Sequence, residues 1–380
     1  MNQKYSPLFV PYELNNGVYL ENRLVVAPLT VYDSGDNGEL TEASRTFWNN
    51  RFAGFGLYIM PFTNVHPSGI GFESPNAFSD EHLPTLREYA EIAHGQGAKI
   101  VAQIAHSGLR ANRTMTKGYD IVAPTAEMNS GARAMTGSEV REMVASFAHA
   151  AELALRAGLD GVEIHGANGW LVQQFVSANT NWRDDYWGGS LEKRLHFPLE
   201  IIDAVDRVRR EHNRPDFIVG YRFSPEEPGE RGITMAETFA LVDALVEKPL
   251  QYLHVSLWDF YKKARRGADT ARNRMDLLHE RIAGRLPLIG VGNLYTADDL
   301  VNAYNTGWAE FIAAGKSVML NPDLVELIKT GREDEIETSF DWDKEDSYRY
   351  TPAMLRGTQL GMDFYPPSKQ YGVRYRNEEY

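Results

Sequence analysis

Short runs of apolar, often β-branched residues alternate along this chain with longer amphipathic segments. The short runs indicate buried strands and the long segments indicate helices, so the alternation predicts parallel strands joined by crossover helices. The runs are RLVVAPL from Arg23, GLYIMPF from Gly56, KIVAQIA from Lys99, GVEIHG from Gly161, FIVGYRF from Phe217, YLHVS from Tyr252, PLIGVG from Pro287 and EFIAAG from Glu310. Eight such strand–helix units predict an α/β fold, the TIM (β/α)8 barrel.

The segments between and before these strands support the same fold. Three clear helical segments are LPTLREYAEIAHGQG, SEVREMVASFAHAAELALRAG and LEKRLHFPLEIIDAVDRVRREH, and the first two end in a glycine typical of a C-cap. YELNNGVYLENR predicts a hairpin that turns at Asn15, Asn16 and Gly17 and closes the bottom of the barrel. No break in composition divides the barrel, so we expect one domain over residues 1–340 and a C-terminal extension of unknown role over 341–380.

Polar side chains interrupt the apolar pattern near the strand ends. With a period of two, Glu163 and His165 face away from the apolar side of their strand, and the same parity turns Gln103 and Arg222 into the barrel, with Ser256 beside them. Active sites of TIM barrels lie at the C-terminal ends of the strands, so this cluster predicts a site there. A buried polar network that satisfies only itself is the alternative.

Glycine-rich turns follow the last two predicted strands. GVGN carries Gly290 and Gly292, and AAGKS carries Gly315, Lys316 and Ser317. Glycines let backbone N–H groups approach an anion, and the lysine adds a positive charge. Because TIM barrels commonly bind phosphate at these two turns, we expect a phosphorylated ligand.

Composition limits the chemistry that is left. The chain has 380 residues, 43% of them hydrophobic, a net charge of -13 and no cysteine. The absence of cysteine excludes disulfides, thiolate zinc sites and cysteine-ligated iron–sulfur clusters; we predict no metal site, and any redox chemistry requires an organic cofactor. The negative charge disfavours nucleic acids and anionic membranes, and we expect a cytoplasmic protein. Nothing in the sequence decides between a monomer and a homo-oligomer.

Four segments together resemble the Old Yellow Enzyme family of FMN-dependent ene-reductases. They are NRLVVAPLT, QIAHSGLR, HGANGWLVQQFVSANTNWRDDYWGGSLEKRLHF, and GVGN with AAGKSVMLNP, in order along about residues 5 to 330. The resemblance implies an enzyme with FMN as cofactor and NADPH or NADH as reductant. It also implies a small-molecule electron acceptor such as an α,β-unsaturated carbonyl, a quinone or a nitro compound.

The resemblance implies a set of cofactor-binding residues from the flavin ring to the phosphate. They are Pro28, Leu29 and Thr30 along the ring, Gln103 at its pyrimidine edge, Arg222 near N1 and the C2 carbonyl, and Gly292, Asn293, Gly315 and Lys316 at the phosphate. Lys316 stands where the family usually has arginine. A bidentate fork is thereby replaced by a point charge, which lowers the expected affinity for phosphate.

The resemblance also implies that His165 and Asn168 are catalytic. In the family such a pair donates hydrogen bonds to the oxygen of the acceptor, which gains negative charge as hydride arrives. Trp170 replaces a tyrosine that commonly supplies a proton, and an indole N–H is no useful acid. The proton then comes from Tyr32 or solvent, or the acceptor needs no carbon protonation. Phe62, where a small residue is common, would narrow the substrate pocket.

The residues alone leave other functions open. A phosphate-binding aldolase or isomerase has the same fold but needs a Schiff-base lysine or a carboxylate base, and a non-catalytic flavin-binding protein would fit the loss of the tyrosine. Leu109 occupies the place of an expected arginine. The basic run YKKARRGADTARNR is expected to be a solvated loop rather than a grip on NADPH phosphate.

Overall fold

Eight parallel strands close into a barrel in the part of the chain that the computed structural model describes, residues 1–370 and Gly372. The strands are β1 (Tyr12–Glu13), β2 (Tyr19–Leu20), β3 (Leu24–Val26), β4 (Leu57–Asn64), β5 (Lys99–Ala105), β6 (Val122–Ala123), β7 (Arg133–Ala134), β8 (Gly161–Gly166), β9 (Ile218–Phe223), β10 (Tyr252–Val255), β11 (Leu288–Gly290) and β12 (Phe311–Ala314). The barrel order is β3-β4-β5-β8-β9-β10-β11-β12, and β12 pairs with β3 through Ala313 and Val25. Every barrel strand coincides with a run predicted from the sequence, and only β4 continues beyond its run, to Asn64, so the predicted TIM barrel is confirmed.

Helices follow each barrel strand. They are α1 (Glu42–Trp48), α2 (Leu83–Gly95), α3 (Gly137–Ala157), α4 (Leu171–Val176), α5 (Leu191–Arg194), α6 (His196–Glu211), α7 (Met235–Leu245), α8 (Arg274–Ile282), α9 (Ala297–Asn305), α10 (Lys316–Leu320), α11 (Leu324–Thr330), α12 (Glu345–Tyr348) and α13 (Pro352–Leu360). Short 3-10 helices occupy Gln3–Phe9, Pro67–Gly69, Asp80–His82, Gly108–Arg110, Glu333–Glu335 and Trp342–Lys344. Within the described residues, none of the helices has the length and apolar character that a membrane span requires.

Helix boundaries follow local chemistry. The long helix α3 begins with a capping box between Thr136 and Glu139 and ends at Gly158, which adopts the left-handed conformation with φ of 90°. The prediction of one helix over residues 191–212 is wrong, because α5 and α6 are separate and meet at Leu195. Pro198 explains the break: proline has no N–H and fits only in the first turn of a helix, so a new helix begins just before it.

The barrel interior follows the parity of the strands. Its apolar part is formed by residues such as Val25, Ile59 and Val101, whereas the alternate residues of the same strands pack against the surrounding helices. Gly220 is required by this packing, since a Cβ there would lie 2.1 Å from the ring of Tyr252. The interior is therefore filled, and only its upper end is left for polar side chains.

The predicted N-terminal hairpin closes the lower end of the barrel. Strands β1 and β2 pair antiparallel, and Leu14 and Leu20 join the apolar cluster inside the barrel. The Asn15 side chain donates to the backbone oxygen of Leu250 at 2.8 Å, just before β10 begins. The hairpin is thus fixed to the N-terminal ends of the strands, opposite the predicted site.

The C-terminal segment packs on the barrel beside β3 and β12. Arg51, which is 1% exposed, donates hydrogen bonds to the backbone oxygens of Val318, Met319 and Tyr348. The Thr351 hydroxyl donates to the backbone oxygen of Val31 at 3.1 Å. Part of the predicted extension, residue 371 and residues 373–380, lies outside the described residues. The preceding part is fastened to the loop after the first barrel strand and to the helix after the last.

Candidate active site

A cavity of about 320 Å³ opens at the C-terminal ends of the barrel strands. It brings together all the residues predicted for the site: Pro28, Leu29, Thr30, Tyr32, Phe62, Gln103, His165, Asn168, Trp170, Arg222, Gly292, Asn293, Gly315 and Lys316. Ser256 also lines it, as parity predicted. Among the described residues that line the cavity there is no Asp or Glu, so its charged side chains are cationic.

The floor of the cavity rests on a buried polar network. Gln103 Nε2 donates to Glu163 Oε1 at 2.7 Å, and His254 Nδ1 lies 2.9 Å from Glu163 Oε2. Because a carboxylate only accepts, the ring nitrogen that faces it carries the proton. Glu163 therefore contacts Gln103 and His254, which lie on two other strands of the barrel.

Burial governs the protonation states of this network. Burial alone would raise the pKa of the Glu163 carboxyl, but the facing His254 and Arg222 hold it below its usual value. Burial, together with Arg222 and His254, holds the pKa of His165 well below its ordinary range. Burial lowers the pKa of His254 as well, despite the neighbouring carboxylate. At neutral pH the floor therefore holds a carboxylate and a guanidinium, and the adjoining His165 ring is neutral.

Asn168 lies above this floor in a constrained turn after β8. Its backbone has φ of 57°, its N–H donates to Ser224 Oγ at 2.9 Å, and its side-chain oxygen accepts from Ser256 Oγ at 2.7 Å. Left-handed backbone is adopted by asparagine more readily than by most residues, which suits this position. His165 Nδ1 is buried without a hydrogen-bond partner in the described part of the chain. His165 and the Asn168 amide thus face the same space.

The two glycine turns form the opposite end of the cavity. The Lys316 ammonium lies 5.1 Å from the centre of the Trp258 ring, and burial lowers the pKa of Lys316 to about 8 although Asp363 acts against that shift. Gly292 has φ of 137°, and a Cβ there would meet the backbone nitrogen of Phe260 at 2.6 Å, so a side chain is excluded. A desolvated cation beside exposed backbone is suited to an anion such as phosphate.

Aromatic rings line the remaining wall in a continuous set of contacts. Phe72 lies 5.3 Å from Tyr32, 5.0 Å from Phe62 and 5.7 Å from Trp170, measured between ring centres. Phe364, from the C-terminal segment, lies 5.7 Å from Tyr32 and lines the cavity. Tilted and edge-to-face contacts are favourable between aromatic rings, so these rings together give the cavity a rigid apolar wall. Phe72 and Phe364 were not predicted, since neither carries a motif or a parity signal.

The turn Gly108–Arg110 forms part of the rim. Leu109, which stands where an arginine was expected, donates its N–H to Gln174 Oε1 at 3.1 Å and packs beside a small apolar cluster. Arg110 lines the cavity instead, and its Nη1 donates to the backbone oxygen of Asn168 at 3.2 Å. A guanidinium is therefore present at the rim, supplied by the next residue along the chain.

Other groups of polar residues do not line the cavity. Ser68 bridges His106 Nε2 at 2.9 Å and His66 Nδ1 at 2.8 Å, and burial lowers the pKa of His106 to about 3. This neutral chain supports the loops around the cavity. In the basic run, Arg274 is buried and its Nε lies 2.6 Å from Glu226 Oε2, so the expectation of a solvated loop is wrong for that residue. No group of three or more His, Asp or Glu in the described residues is placed to hold a metal ion.

The polar atoms of the cavity fit a flat, anionic ligand with a polar edge, as FMN is. Arg222 Nε and His165 Nδ1 are buried without partners in the described part of the chain. Buried donors and acceptors are rarely left unpaired, so these atoms indicate a ligand. Gln103 and Arg222 would hold the flavin ring, and Lys316 with the glycine turns would hold the phosphate.

Comparison with known proteins assigns the chain that forms this cavity to a family. Residues 7–335 match the NADH:flavin oxidoreductase / NADH oxidase family. The chain is 46% identical over 342 residues to the probable NADH-dependent flavin oxidoreductase YqiG of Bacillus subtilis (strain 168), covering 89% of this chain and 92% of that relative. It is 34% identical over 318 residues to the NADH:acrylate oxidoreductase of Vibrio harveyi, covering 81% of this chain but only 31% of that longer relative.

Solved structures share the fold. A structure described as an old yellow enzyme homologue from Zymomonas mobilis aligns with a TM-score of 0.74 and 23% identity, over 90% of this chain and 96% of that one. At this identity the match establishes the barrel architecture.

Proposed function

The chain belongs to the NADH:flavin oxidoreductase / NADH oxidase family, enzymes of the Old Yellow Enzyme type that use FMN and NADH or NADPH, and we propose that it reduces an electron-poor small molecule in a two-step, ping-pong cycle. When bound, FMN supplies hydride transfer at N5, first from the nicotinamide and then to the acceptor. Family membership decides against the aldolase or isomerase and the non-catalytic flavin protein that the residues alone left open.

The observation that most directly supports this proposal is that His165 and Asn168 both line the cavity. The neutral imidazole and the amide each offer an N–H, and we assign both to the oxygen of the acceptor. That oxygen gains negative charge as hydride arrives, so preorganised donors favour the transition state over the ground state. The lowered pKa of His165 fits this assignment, because the neutral ring still carries one N–H that it can donate to that oxygen.

Arg222 and Gln103 are proposed to hold the flavin ring, and Lys316 with Gly292 and Gly315 the phosphate. A reduced flavin carries negative charge near N1, and the buried guanidinium of Arg222 would stabilise it. Pro28, Leu29, Thr30 and Asn293 line the same cavity and are assigned to the cofactor with them.

The acceptor class follows from the aromatic wall and from Trp170. Quinones and nitro compounds are reduced on oxygen or nitrogen, whose protons exchange freely with water. An α,β-unsaturated carbonyl needs a proton on carbon, and Trp170 cannot supply one. Tyr32 is the substitute donor on the cavity wall, although burial raises its pKa. We therefore propose quinones and nitroaromatic compounds as better acceptors than enones.

The test is the visible spectrum of the purified protein during anaerobic addition of NADH and, separately, NADPH. We expect flavin bands that bleach with one or both. A 1,4-benzoquinone, nitrobenzene and 2-cyclohexenone are then added to the reduced protein, and the rate at which the bands return ranks the acceptors. A flavin that stays oxidised with both nucleotides would refute the proposal.

The proton assignment has its own test. Tyr32→Phe should slow reoxidation by 2-cyclohexenone by about 100-fold or more, the usual range for a general acid, and leave the quinone rate nearly unchanged. Trp170→Tyr should raise the cyclohexenone rate. An undiminished cyclohexenone rate in Tyr32→Phe would remove Tyr32 as the proton donor.

A further inference from the structure

Two side-chain amides face the cavity, and each has one end bound by a residue that lies on or just after another strand of the barrel. Gln103 lies on β5 and Asn168 follows β8. An amide offers a donor at one end and an acceptor at the other, and a rotation by 180° exchanges them. A rear partner that only accepts therefore decides what the front end presents to a ligand, whereas a hydroxyl, which can donate or accept, supports the observed orientation without imposing it.

Glu163 binds the rear of Gln103. Its carboxylate, which is 0% exposed, receives Nε2–H of Gln103 at 2.7 Å and faces Nδ1 of His254 at 2.9 Å. The reversed amide would turn its oxygen against a carboxylate oxygen in a buried site, which is repulsive. Gln103 is thus held with Oε1 available as an acceptor.

Ser256 binds the rear of Asn168 in the opposite sense. Its hydroxyl donates to Asn168 Oδ1 at 2.7 Å. The backbone of Asn168 is fixed separately, since its N–H donates to Ser224 Oγ at 2.9 Å and its oxygen accepts from Arg110 Nη1 at 3.2 Å. With the backbone fixed and the side-chain oxygen occupied, the NH2 end of Asn168 is left as a donor.

We propose that Glu163 and Ser256 are positioning residues that hold the two amides in opposite roles. Glu163 makes Gln103 an acceptor for the N3–H of the flavin pyrimidine edge, and Ser256 satisfies the oxygen end of Asn168 while the NH2 end donates to the negative oxygen of the acceptor molecule. This inference rests on the proposed function, in which Gln103 contacts the cofactor and Asn168 the acceptor. Its distinctive consequence is that the two residues act on different ligands although their amides share one cavity.

The first arm of the test measures FMN affinity. In Glu163→Gln the new amide can donate or accept, so Gln103 loses its fixed orientation. We expect the FMN dissociation constant, from quenching of flavin fluorescence by the apoprotein, to rise about tenfold, as for a hydrogen bond to a charged group. The paired exchange Gln103→Glu with Glu163→Gln restores a donor facing a carboxylate and should recover most of the affinity.

The second arm measures phenolate affinity in the FMN-saturated protein. A phenolate, here 4-chlorophenol, presents a negative oxygen like that of the reacting acceptor. Ser256→Ala should raise its dissociation constant about tenfold and weaken its charge-transfer band, because the amide of Asn168 is free to rotate. Ser256→Thr keeps the hydroxyl and should bind 4-chlorophenol like the wild type.

The proposal is decided by measuring each variant with the ligand of the other arm. Glu163→Gln should alter 4-chlorophenol binding by less than about twofold, and Ser256→Ala should alter FMN binding by no more, which is the margin for distant, independent sites. If each variant weakened both ligands equally, or neither, the proposal would be overturned. A wild-type protein that bound FMN but was not bleached by NADH or NADPH would defeat the proposed function instead, while both affinities remained measurable.

Discussion

The floor and the rim of the cavity are built from different parts of the chain. The floor consists of strand residues such as Gln103, Glu163 and Arg222, which are at most 8% exposed and linked by charge and hydrogen bonds. The rim consists of rings such as Trp170 and Phe364 from a loop and from the C-terminal segment. The floor has to match one cofactor, whereas the rim only has to offer a flat apolar surface. A change in the floor should therefore alter cofactor binding, and a change in the rim should alter which acceptor is used.

The largest difference between cofactor binding and acceptor reduction should come from removing His165 and Asn168, the two hydrogen-bond donors between the floor and the rim. In His165→Ala with Asn168→Ala, we expect turnover of every carbonyl or nitro acceptor to fall on the order of 100- to 1000-fold, the range for loss of oxyanion-stabilising donors. FMN should remain bound, because the floor is intact, and phenols should lose their charge-transfer band. Stopped-flow reoxidation and phenol titration measure the two effects. Unchanged phenol titrations would contradict the role given to the pair.

The next effect compares two arginines, one in the floor and one at the rim. Arg222→Met removes the cation next to the flavin site and should weaken FMN on the order of 100-fold, the upper range for a hydrogen bond to a charged group. Arg110→Met is the matched change at the rim and should leave the flavin content of the purified protein unchanged. Equal flavin loss in both variants would show that the division between floor and rim is wrong.

At the phosphate end of the cavity, we expect the affinity for FMN to depend on pH, and this effect should be of intermediate size. Burial lowers the pKa of Lys316 to about 8 in the protein without an anion. Below that pH the ammonium is already charged; above it, a proton must be taken up when phosphate binds. The FMN dissociation constant should therefore rise as pH increases from about 8, by up to about tenfold per pH unit.

Two controls isolate this effect. Lys316→Arg should give a flat profile between about pH 8 and 10, because arginine stays protonated. Riboflavin lacks the phosphate, and its affinity for the wild-type protein should not follow the titration of Lys316. A steep riboflavin profile would assign the pH dependence to another group.

The smallest effect is expected at the outermost ring of the rim. Phe364→Ala removes one apolar face, which should raise the KM for a benzoquinone about threefold to tenfold and admit bulkier quinones, with FMN affinity unchanged. The conservative variant Phe364→Leu should give a KM between those of the wild type and Phe364→Ala. An identical set of KM values for small and bulky quinones in wild type and Phe364→Ala would show that Phe364 does not limit the pocket.

The same division explains what the sequence could predict. Strand parity placed Gln103, His165 and Arg222 inside the barrel, because a period of two leaves only two faces and one is apolar. The glycine turns that carry Gly292 and Lys316 were found through the fold and the family resemblance. These features depend on local pattern, and the structure brings them together.

What escaped prediction depends on tertiary contacts. Parity put Glu163 on the correct face, but its pairing with His254 needed the register of β8, β9 and β10, which no local pattern encodes. Phe364 is far from the barrel strands in sequence and reaches the cavity because Tyr348 and Thr351 are tied to the barrel. Pro198 was visible in the sequence, yet its effect on the helix boundary was missed.

The closure of the barrel through Val25 and Ala313 sets the order of events during synthesis. The first barrel strand, β3, leaves the ribosome long before β12, the strand with which it closes the barrel, has been made. The backbone oxygen of Tyr348, which accepts a hydrogen bond from Arg51, is made later still. Until then the nascent chain carries an open strand edge, and Nη1 and Nη2 of Arg51 lack the acceptors that they have in the folded protein. Such incompletely paired segments are bound by chaperones and cleaved by proteases. Ribosome-bound chains stalled at residue 310 should therefore be sensitive to protease, whereas the released chain of 380 residues should resist it. The beginning of this polypeptide reaches its final state only when the end has been made.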